Sequence, residues 1–89
     1  MSDPVAWIVV ERGWEVASSD GEKVGTVDEV LGDPNADIFD GLAVPPGLLK
    51  KPKYVPAERV GEIVEGRVTL ELTKAEFDAL GEYEPKVPG

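Results

Sequence analysis

The sequence predicts an all-β fold, a small β-barrel or strongly bent sheet of short strands with a short C-terminal helix. Five to seven short β-rich segments recur at spacings of 8–12 residues, with turn residues between them. Residues 67–72 alternate between apolar and polar side chains, as a half-buried strand does. Thr73 and Glu76 form a capping-box pattern, which starts a helix running to about Leu80.

The length of the chain predicts a single domain. Its 89 residues leave no room for a second hydrophobic core. We therefore expect one domain over residues 1–89, with residues 82–89 forming a tail.

The N-terminal segments begin with an apolar run at residues 5–10, which we predict to be a strand. The run does not alternate, so the strand is either buried on both faces or turned towards a partner. Residues 14–17 form the next strand. Residues 18–21 then form a hairpin turn, because an Asp-Gly pair readily adopts positive φ angles.

The second arm of this hairpin, residues 23–31, has an ambiguous pattern. Its apolar residues lie at positions 24, 27, 30 and 31, which is closer to helical than to strand spacing. The preceding turn, the β-branched content and Gly25 favour a strand with a bulge or sharp bend at the glycine. A helix is the alternative.

The middle of the chain predicts a loop, a strand and a connector. Residues 32–37 have loop composition, and residues 38–44 form a strand with a kink at positions 40–41. Prolines bound residues 48–52 and remove backbone donors there, so this segment joins strands without pairing.

The last strands follow closely. Residues 54–55 form a short strand, and residues 56–60 form one helical turn that begins at the proline. Residues 61–64 and 67–72 then pair across a turn at residues 65–66. The predicted core-facing side chains of the last strand are Val68, Leu70 and Leu72.

The composition excludes several classes of function. The chain has no histidine and no cysteine, which removes the commonest general base, the commonest zinc ligands and any disulfide. Its formal net charge of −9 repels phosphate backbones, so direct nucleic-acid binding is disfavoured. We expect no enzyme activity, no catalytic or metal-binding residues and no cofactor.

Membrane insertion is also not expected. There is no run of about 18 apolar residues, and Asp3 stands where a signal peptide would carry basic residues. We therefore expect a soluble cytoplasmic protein without a membrane span.

Taken in order, the segments resemble a PRC-barrel domain. The resemblance rests on Trp14-Glu15-Val16 followed by DGEKVGTVDEVLGD (20–33), IFDGLAV (38–44), KYVPAERVGEIVEGRV (53–68) and LTKAEFDAL (72–80). It covers nearly the whole chain. It implies a small all-β barrel and a non-catalytic interaction module of the stand-alone bacterial or archaeal type, without naming a partner.

An acidic loop is the first candidate site. Asp33, Asp37 and Asp40 lie close in sequence and could hold a cation, but their spacing does not match a calcium-binding loop. We interpret them as a solvated acidic loop.

A basic cluster is the second candidate. Lys50, Lys51 and Lys53, followed by Tyr54, stand out in an acidic chain and could bind an acidic partner or a phosphate. The alternative is a solvated loop held outwards by prolines.

Trp7, Ile8 and Val10 are the third candidate. They offer apolar side chains to both faces of the predicted first strand, and Leu48 and Leu49 could extend the same surface. These residues form either a docking or dimer face or part of the core, and the sequence leaves both possibilities open.

These patterns favour an interaction module that self-associates, as a homodimer, or binds another protein through an apolar face. A ribosome- or RNA-processing-associated factor acting through a ribosomal protein is the alternative, by analogy with one branch of the PRC-barrel family.

Overall fold

The computed structural model describes residues 4–47 and 50–83, and these form two β-sheets and a short helix. The strands are β1 (Glu15–Ala17), β2 (Lys23–Thr26), β3 (Glu29–Asp33), β4 (Ile38–Val44), β5 (Lys53–Pro56), β6 (Val60–Val64) and β7 (Arg67–Leu70). The helix is α1 (Lys74–Asp78), and 3₁₀ turns occupy Trp7–Val9 and Ala57–Arg59. The predicted all-β class with a short C-terminal helix is confirmed.

The seven strands are divided between two sheets. One sheet has the order β2-β1-β7-β6 and the other the order β3-β4-β5. All pairs are antiparallel except β1 with β7. The chain passes from one sheet to the other at residues 27–28 and again at the 3₁₀ turn of Ala57–Arg59. The sheets are therefore joined at two corners around one core.

The core is built from the inward faces of both sheets and is closed by the helix. Its fully buried apolar side chains include Val16, Val27, Leu42, Val44, Val55, Val68, Leu70 and Phe77. Burial of one such side chain stabilises the fold by about 1.5–3 kcal/mol. Leu72 follows β7 and is also buried, so the three predicted core positions of the last strand are confirmed.

The second hairpin arm is extended, so the helical alternative for residues 23–31 is wrong. Opposite β1, Gly25 pairs with Val16 and Lys23 pairs with Ala17, which leaves Val24 as an extra, bulged residue. The expected bulge therefore lies beside Gly25. The chain bends into the second sheet between Val27 and Asp28. The amide of Val27 still donates to the carbonyl of Trp14, just before β1, whereas the amide of Asp28 donates to the carbonyl of Ala43 in β4.

The strand at residues 38–44 has the predicted bounds and the predicted kink. Leu31 pairs with Gly41 and Gly32 pairs with Phe39, so Asp40 is bulged out of the ladder. Gly41 has φ 154° and lies against β5, where a Cβ atom would collide with the Val55 carbonyl oxygen. This position therefore requires glycine.

The prediction of a strand at residues 5–10 is wrong. Only Pro4 makes a strand-like bridge, to Val64. The chain then turns, and the amides of Val9 and Val10 donate to the carbonyls of Ala6 and Trp7 at 3.1 Å. Val5 still donates to Ile63 of β6, but Trp7–Val9 form a 3₁₀ turn, because the amides of Val9 and Val10 find their acceptors within the run itself.

The capping box at the start of α1 is confirmed. Glu76 N donates to Thr73 Oγ1 at 3.2 Å, and Thr73 N donates to Glu76 Oε1 at 3.0 Å. The helix is shorter than expected and ends at Asp78. In the part of the chain described, no helix is long and apolar enough to cross a membrane.

The predicted tail begins too early. Glu82 bridges to Lys53, and the amide of Tyr83 donates to the carbonyl of Pro52 at 2.7 Å. Residues 82–83 are thus part of the folded domain because they complete the edge of β5. The rest of the predicted tail, residues 84–89, lies outside the described residues.

Candidate interaction surfaces

The first 3₁₀ turn is anchored by Trp7. Its indole stacks on Phe39, with ring centroids 5.0 Å apart and planes 11° from parallel. Its Nε1 donates to Asp37 Oδ1 at 3.2 Å. Trp7 is half-buried and packs against the core, so its ring fixes the turn beside the start of β4.

The same turn exposes two aliphatic side chains. In a 3₁₀ turn consecutive side chains point about 120° apart, so Trp7 can face inwards only if its neighbours face outwards. Ile8 is 54% exposed and Val9 is 45% exposed. Ile38, at the start of β4, is 52% exposed. The Trp7–Phe39 stack brings these exposed aliphatic residues to the same end of β4, and we call Ile8, Val9 and Ile38 the apolar patch.

Carboxylates flank the apolar patch. Asp33 is paired with Ile38 across β3 and β4, and Asp37 precedes Ile38 and holds Trp7. Asp33 also accepts from the amide of Asn35 at 3.0 Å, as a turn-forming aspartate does. Over residues 4–47 and 50–83 there is no cluster of three carboxylates able to hold a metal ion. Asp33 and Asp37 place negative charge beside Ile38, and we call these two carboxylates the negative rim of the patch.

The structure places one of the predicted docking residues, Val10, in the core. Val10 is only 8% exposed and belongs to the core, so it cannot contribute to a surface. Its inward direction follows from the turn, which carries the chain from the exposed residues back towards β1. Leu48 and Leu49 lie outside the described residues.

Lys53 also serves the fold rather than the surface. Its Nζ donates to the carbonyl oxygens of Asp78 and Leu80, each at 3.0 Å. The last carbonyls of a helix have no intrahelical partner and attract a cation. Lys53 therefore ties β5 to the end of α1, and its role in partner binding stays a prediction.

Tyr54 also makes contacts within the domain. Its Oη donates to the carbonyl of Asp40 at 3.0 Å, which gives the carbonyl of this bulged residue a hydrogen-bond partner. Its ring stacks with Tyr83 at a centroid distance of 6.4 Å. Loss of contact with water, followed by the nearby charge of Glu29, raises the pKa of Tyr83.

The other two lysines of the basic cluster remain exposed. Lys50 lines a groove of about 540 Å³ between β2 and the loop after β4, and Lys51 follows it. We call this cavity the β2 groove. It is lined by Lys23, Val24, Gly25, Thr26, Asp28, Pro45, Pro46, Gly47, Lys50 and Pro52.

The buried hydroxyl of Ser18 has a structural role. It hydrogen-bonds Asp20 and both backbone groups of Glu22, which closes the hairpin turn. The hydrogen bond from the Ser18 hydroxyl is also the largest of the effects that lower the pKa of Asp20. Asp20 accepts from the amide of Lys74 at 3.3 Å, so the turn is fastened to the start of α1. Ser18 is therefore a turn residue, as predicted.

The fold and these surfaces define a small β-rich domain with an apolar patch at one end of β4 and a basic groove at the other. A family model matches residues 10–78, and the chain belongs to that family, described as uncharacterized proteins conserved in bacteria (DUF2171). A search of curated proteins returned no match.

This membership corrects the resemblance drawn from the sequence. The family model that matches is not the PRC-barrel family, so that assignment is wrong. The quoted motifs are hairpin and turn patterns, which different families of small β-domains share because the same turns require the same residues.

The sequence prediction missed three surface residues. Val9 lies in the apolar run but was not singled out, and Ile38 was taken only as the first residue of a strand. Ile38 could have been found, since an isoleucine directly after a polar loop is often at a sheet end. No sequence pattern marks Lys23 as a surface residue of interest, because it lines the same groove as Lys50 only when the two sheets are packed together.

Proposed function

We propose that this domain is a non-catalytic interaction module that binds another protein through the apolar patch. The observation that carries the proposal is the pair Ile8 and Val9, about half exposed on a turn that Trp7 holds in place. Exposed apolar side chains that lie together mark protein contact sites.

The anchoring of the turn favours binding. A surface that is already ordered loses little conformational entropy when a partner docks. Trp7 provides that order through the Phe39 stack and the Asp37 hydrogen bond. The three patch side chains would supply the apolar centre of a small interface, which suits a transient complex.

The negative rim specifies the chemistry of the partner. Asp33 and Asp37 flank Ile38 and would meet lysine or arginine side chains around an apolar centre on the partner. A second copy of this chain fits less well, because a twofold interface would bring the same carboxylates together. The net charge of −9 on each copy adds to that repulsion. We therefore favour a different protein over a homodimer.

Two further points complete the proposal. The absence of cysteine suits a reducing compartment, so we place the module in the cytoplasm. The ribosome-associated alternative drew its support from the PRC-barrel resemblance. Without that resemblance, no contact among the described residues favours it.

Photo-crosslinking from the patch tests the proposal. A benzoylphenylalanine replaces Val9 in one strain and Glu65, at an exposed turn, in a control strain. The expected product joins position 9 to a partner segment with apolar residues flanked by lysine or arginine. The substitution Ile8→Asp should abolish that product while the purified domain keeps its unfolding midpoint.

Two results would overturn the proposal. Equal crosslinking from positions 9 and 65 would show that the patch is not a contact surface. A dimer seen by light scattering of the purified chain, and lost in Ile8→Asp, would show that the patch binds a second copy instead.

A further inference from the structure

Two sheet edges of this domain are closed by its own chain. The amide of Val5 donates to the carbonyl of Ile63 at 2.8 Å, so the N-terminal segment covers β6. The amides of Tyr54 and Tyr83 bond to Gly81 and Pro52 at 3.1 and 2.7 Å, so residues 81–83 cover β5. Unpaired edges invite association with another strand, and these two are protected.

The edge of β2 is different, because within residues 4–47 and 50–83 β2 pairs with β1 alone. The ladder of β4 reaches Val44, and the next two residues are Pro45 and Pro46, which have no amide hydrogen to donate. The Pro45 carbonyl oxygen also lies where a Cβ atom on Gly25 would be. β4 therefore ends at the β2 groove instead of extending along it.

Backbone groups of β2 face this groove. The amide and carbonyl of Val27 bond to Trp14 and Gly13, on the β1 side. Successive residues of a strand direct these groups to opposite edges, so those of Thr26 point away from β1. Thr26 lines the groove, as does the bulged Val24.

The groove also carries positive charge within an acidic protein. Lys23 and Lys50 line it, and among the described residues neither makes an ion pair. Its one carboxylate, Asp28, is paired with Arg12 at 3.1 Å. Val24, Pro46 and Pro52 provide an apolar floor and wall. The groove thus matches a chain that carries carboxylates and apolar side chains together.

We propose that the β2 groove binds an extended acidic peptide segment of a partner protein, which pairs with the edge of β2 as an added strand. Backbone hydrogen bonds would give affinity, and Lys23 and Lys50 would select carboxylates. The four residues of β2 span about 13 Å, so the bound segment is of tetrapeptide length.

This site is separate from the apolar patch. Ile38 and Val44 are the two ends of β4, roughly 20 Å apart by strand rise, and the groove lies beyond Val44. The edge of β3 is a poorer site for the same peptide, because β3 carries Glu29 and Asp33.

Titration of the isotope-labelled domain with a defined peptide tests the proposal. The probe is acetyl-Glu-Val-Glu-Val-Glu-Val-amide, whose alternation places glutamates on one face and valines on the other. Amide resonances of residues 23–26 and of Gly47 and Lys50 should shift together and saturate. The substitutions Lys23→Gln and Lys50→Gln together should weaken binding about tenfold at low salt, through lost charge complementarity.

Three controls decide the outcome. Lys74→Gln with Arg67→Gln removes the same charge elsewhere and should leave binding within about twofold of the wild type. A peptide with lysines in place of glutamates should bind at least about tenfold more weakly. A probe N-methylated at alternate residues should also bind at least about tenfold more weakly, because it cannot pair with a strand edge.

The proposal fails if the N-methylated probe or citrate binds as well as the parent peptide, since the site would then recognise charge alone. It also fails if the lysine peptide binds equally, or if the shifted resonances lie away from residues 23–26, Gly47 and Lys50. Amide spectra of the variants show that each remains folded.

Discussion

The indole of Trp7 lies flat on the ring of Phe39, with centroids 5.0 Å apart, and its Nε1 donates to the adjacent Asp37. A residue near the N-terminus is thereby joined to the start of β4, about thirty positions away. This contact converts an apolar run that suggested a strand into an anchored turn. It also leaves Ile8 and Val9 facing solvent.

Removing the Trp7 ring should destabilise the domain. We expect Trp7→Ala to lower the free energy of unfolding by about 2 kcal/mol, because a half-buried stacked ring is lost. Urea unfolding followed by circular dichroism measures it. Trp7→Phe keeps an aromatic ring beside Phe39 but loses the hydrogen bond and part of the ring contact, so it should cost about 1 kcal/mol, less than Trp7→Ala. Equal stability of Trp7→Ala and wild type would show that the ring does not hold the turn.

Lys53 should stabilise the end of α1. Lys53→Met keeps most of the aliphatic chain but removes the donor to Asp78 and Leu80, so we expect a loss of about 1 kcal/mol. For a domain of this size that corresponds to a melting temperature lower by roughly 4–8 °C. Hydrogen exchange at Ala79 and Leu80 should accelerate as well.

Lys51→Met is the matched control, because Lys51 is exposed and makes no ion pair among the described residues. Its stability should stay within about 0.5 kcal/mol of the wild type. If the two methionine variants melted alike, Lys53 would have no capping role.

Gly41 should tolerate no side chain. Gly41→Ala combines a backbone conformation that L-residues avoid with a collision against the Val55 carbonyl oxygen. We expect a loss of at least about 3 kcal/mol, a large part of the stability of a small domain. Chemical denaturation measures the loss.

Gly81→Ala provides the comparison, because a Cβ atom there meets nothing within 4 Å. It should change stability by less than about 1 kcal/mol. A Gly41→Ala protein as stable as Gly81→Ala would mean that β4 and β5 are not packed as described.

Part of the stability of the domain should depend on the ionisation of Glu76 and so be lost at acid pH. Hydrogen bonds from the Thr73 backbone and hydroxyl, followed by the charge of Arg59, lower the pKa of this carboxyl. A carboxyl whose pKa is lower in the folded state stabilises the fold above its unfolded pKa of about 4.3. That contribution is lost as the pH falls through the folded-state pKa.

The measurement compares urea midpoints at pH 6 and pH 3 in the wild type and in Glu76→Gln. Glutamine keeps the capping-box acceptor but cannot titrate, so the variant should lose less stability on acidification. Glu65→Gln, at an exposed turn, controls for the loss of one negative charge. Identical acid losses in wild type and Glu76→Gln would contradict the prediction.

Local chemistry explains which elements the sequence could predict. The Thr73 capping box, the hairpin turn closed by Ser18 and the strand ending at Val44 each follow from residues within a few positions of one another. The family assignment was wrong for a related reason, because local turn motifs carry little information about descent.

By itself the sequence determined the all-β class, the short helix and its cap, the core positions Val68, Leu70 and Leu72, and the acidic surface. Tertiary structure alone decided that Trp7 is an anchor, that Lys53 caps α1 and that Lys23 and Lys50 share a groove. Turns and caps depend on neighbours in the chain, whereas surfaces depend on which distant segments the two sheets bring together.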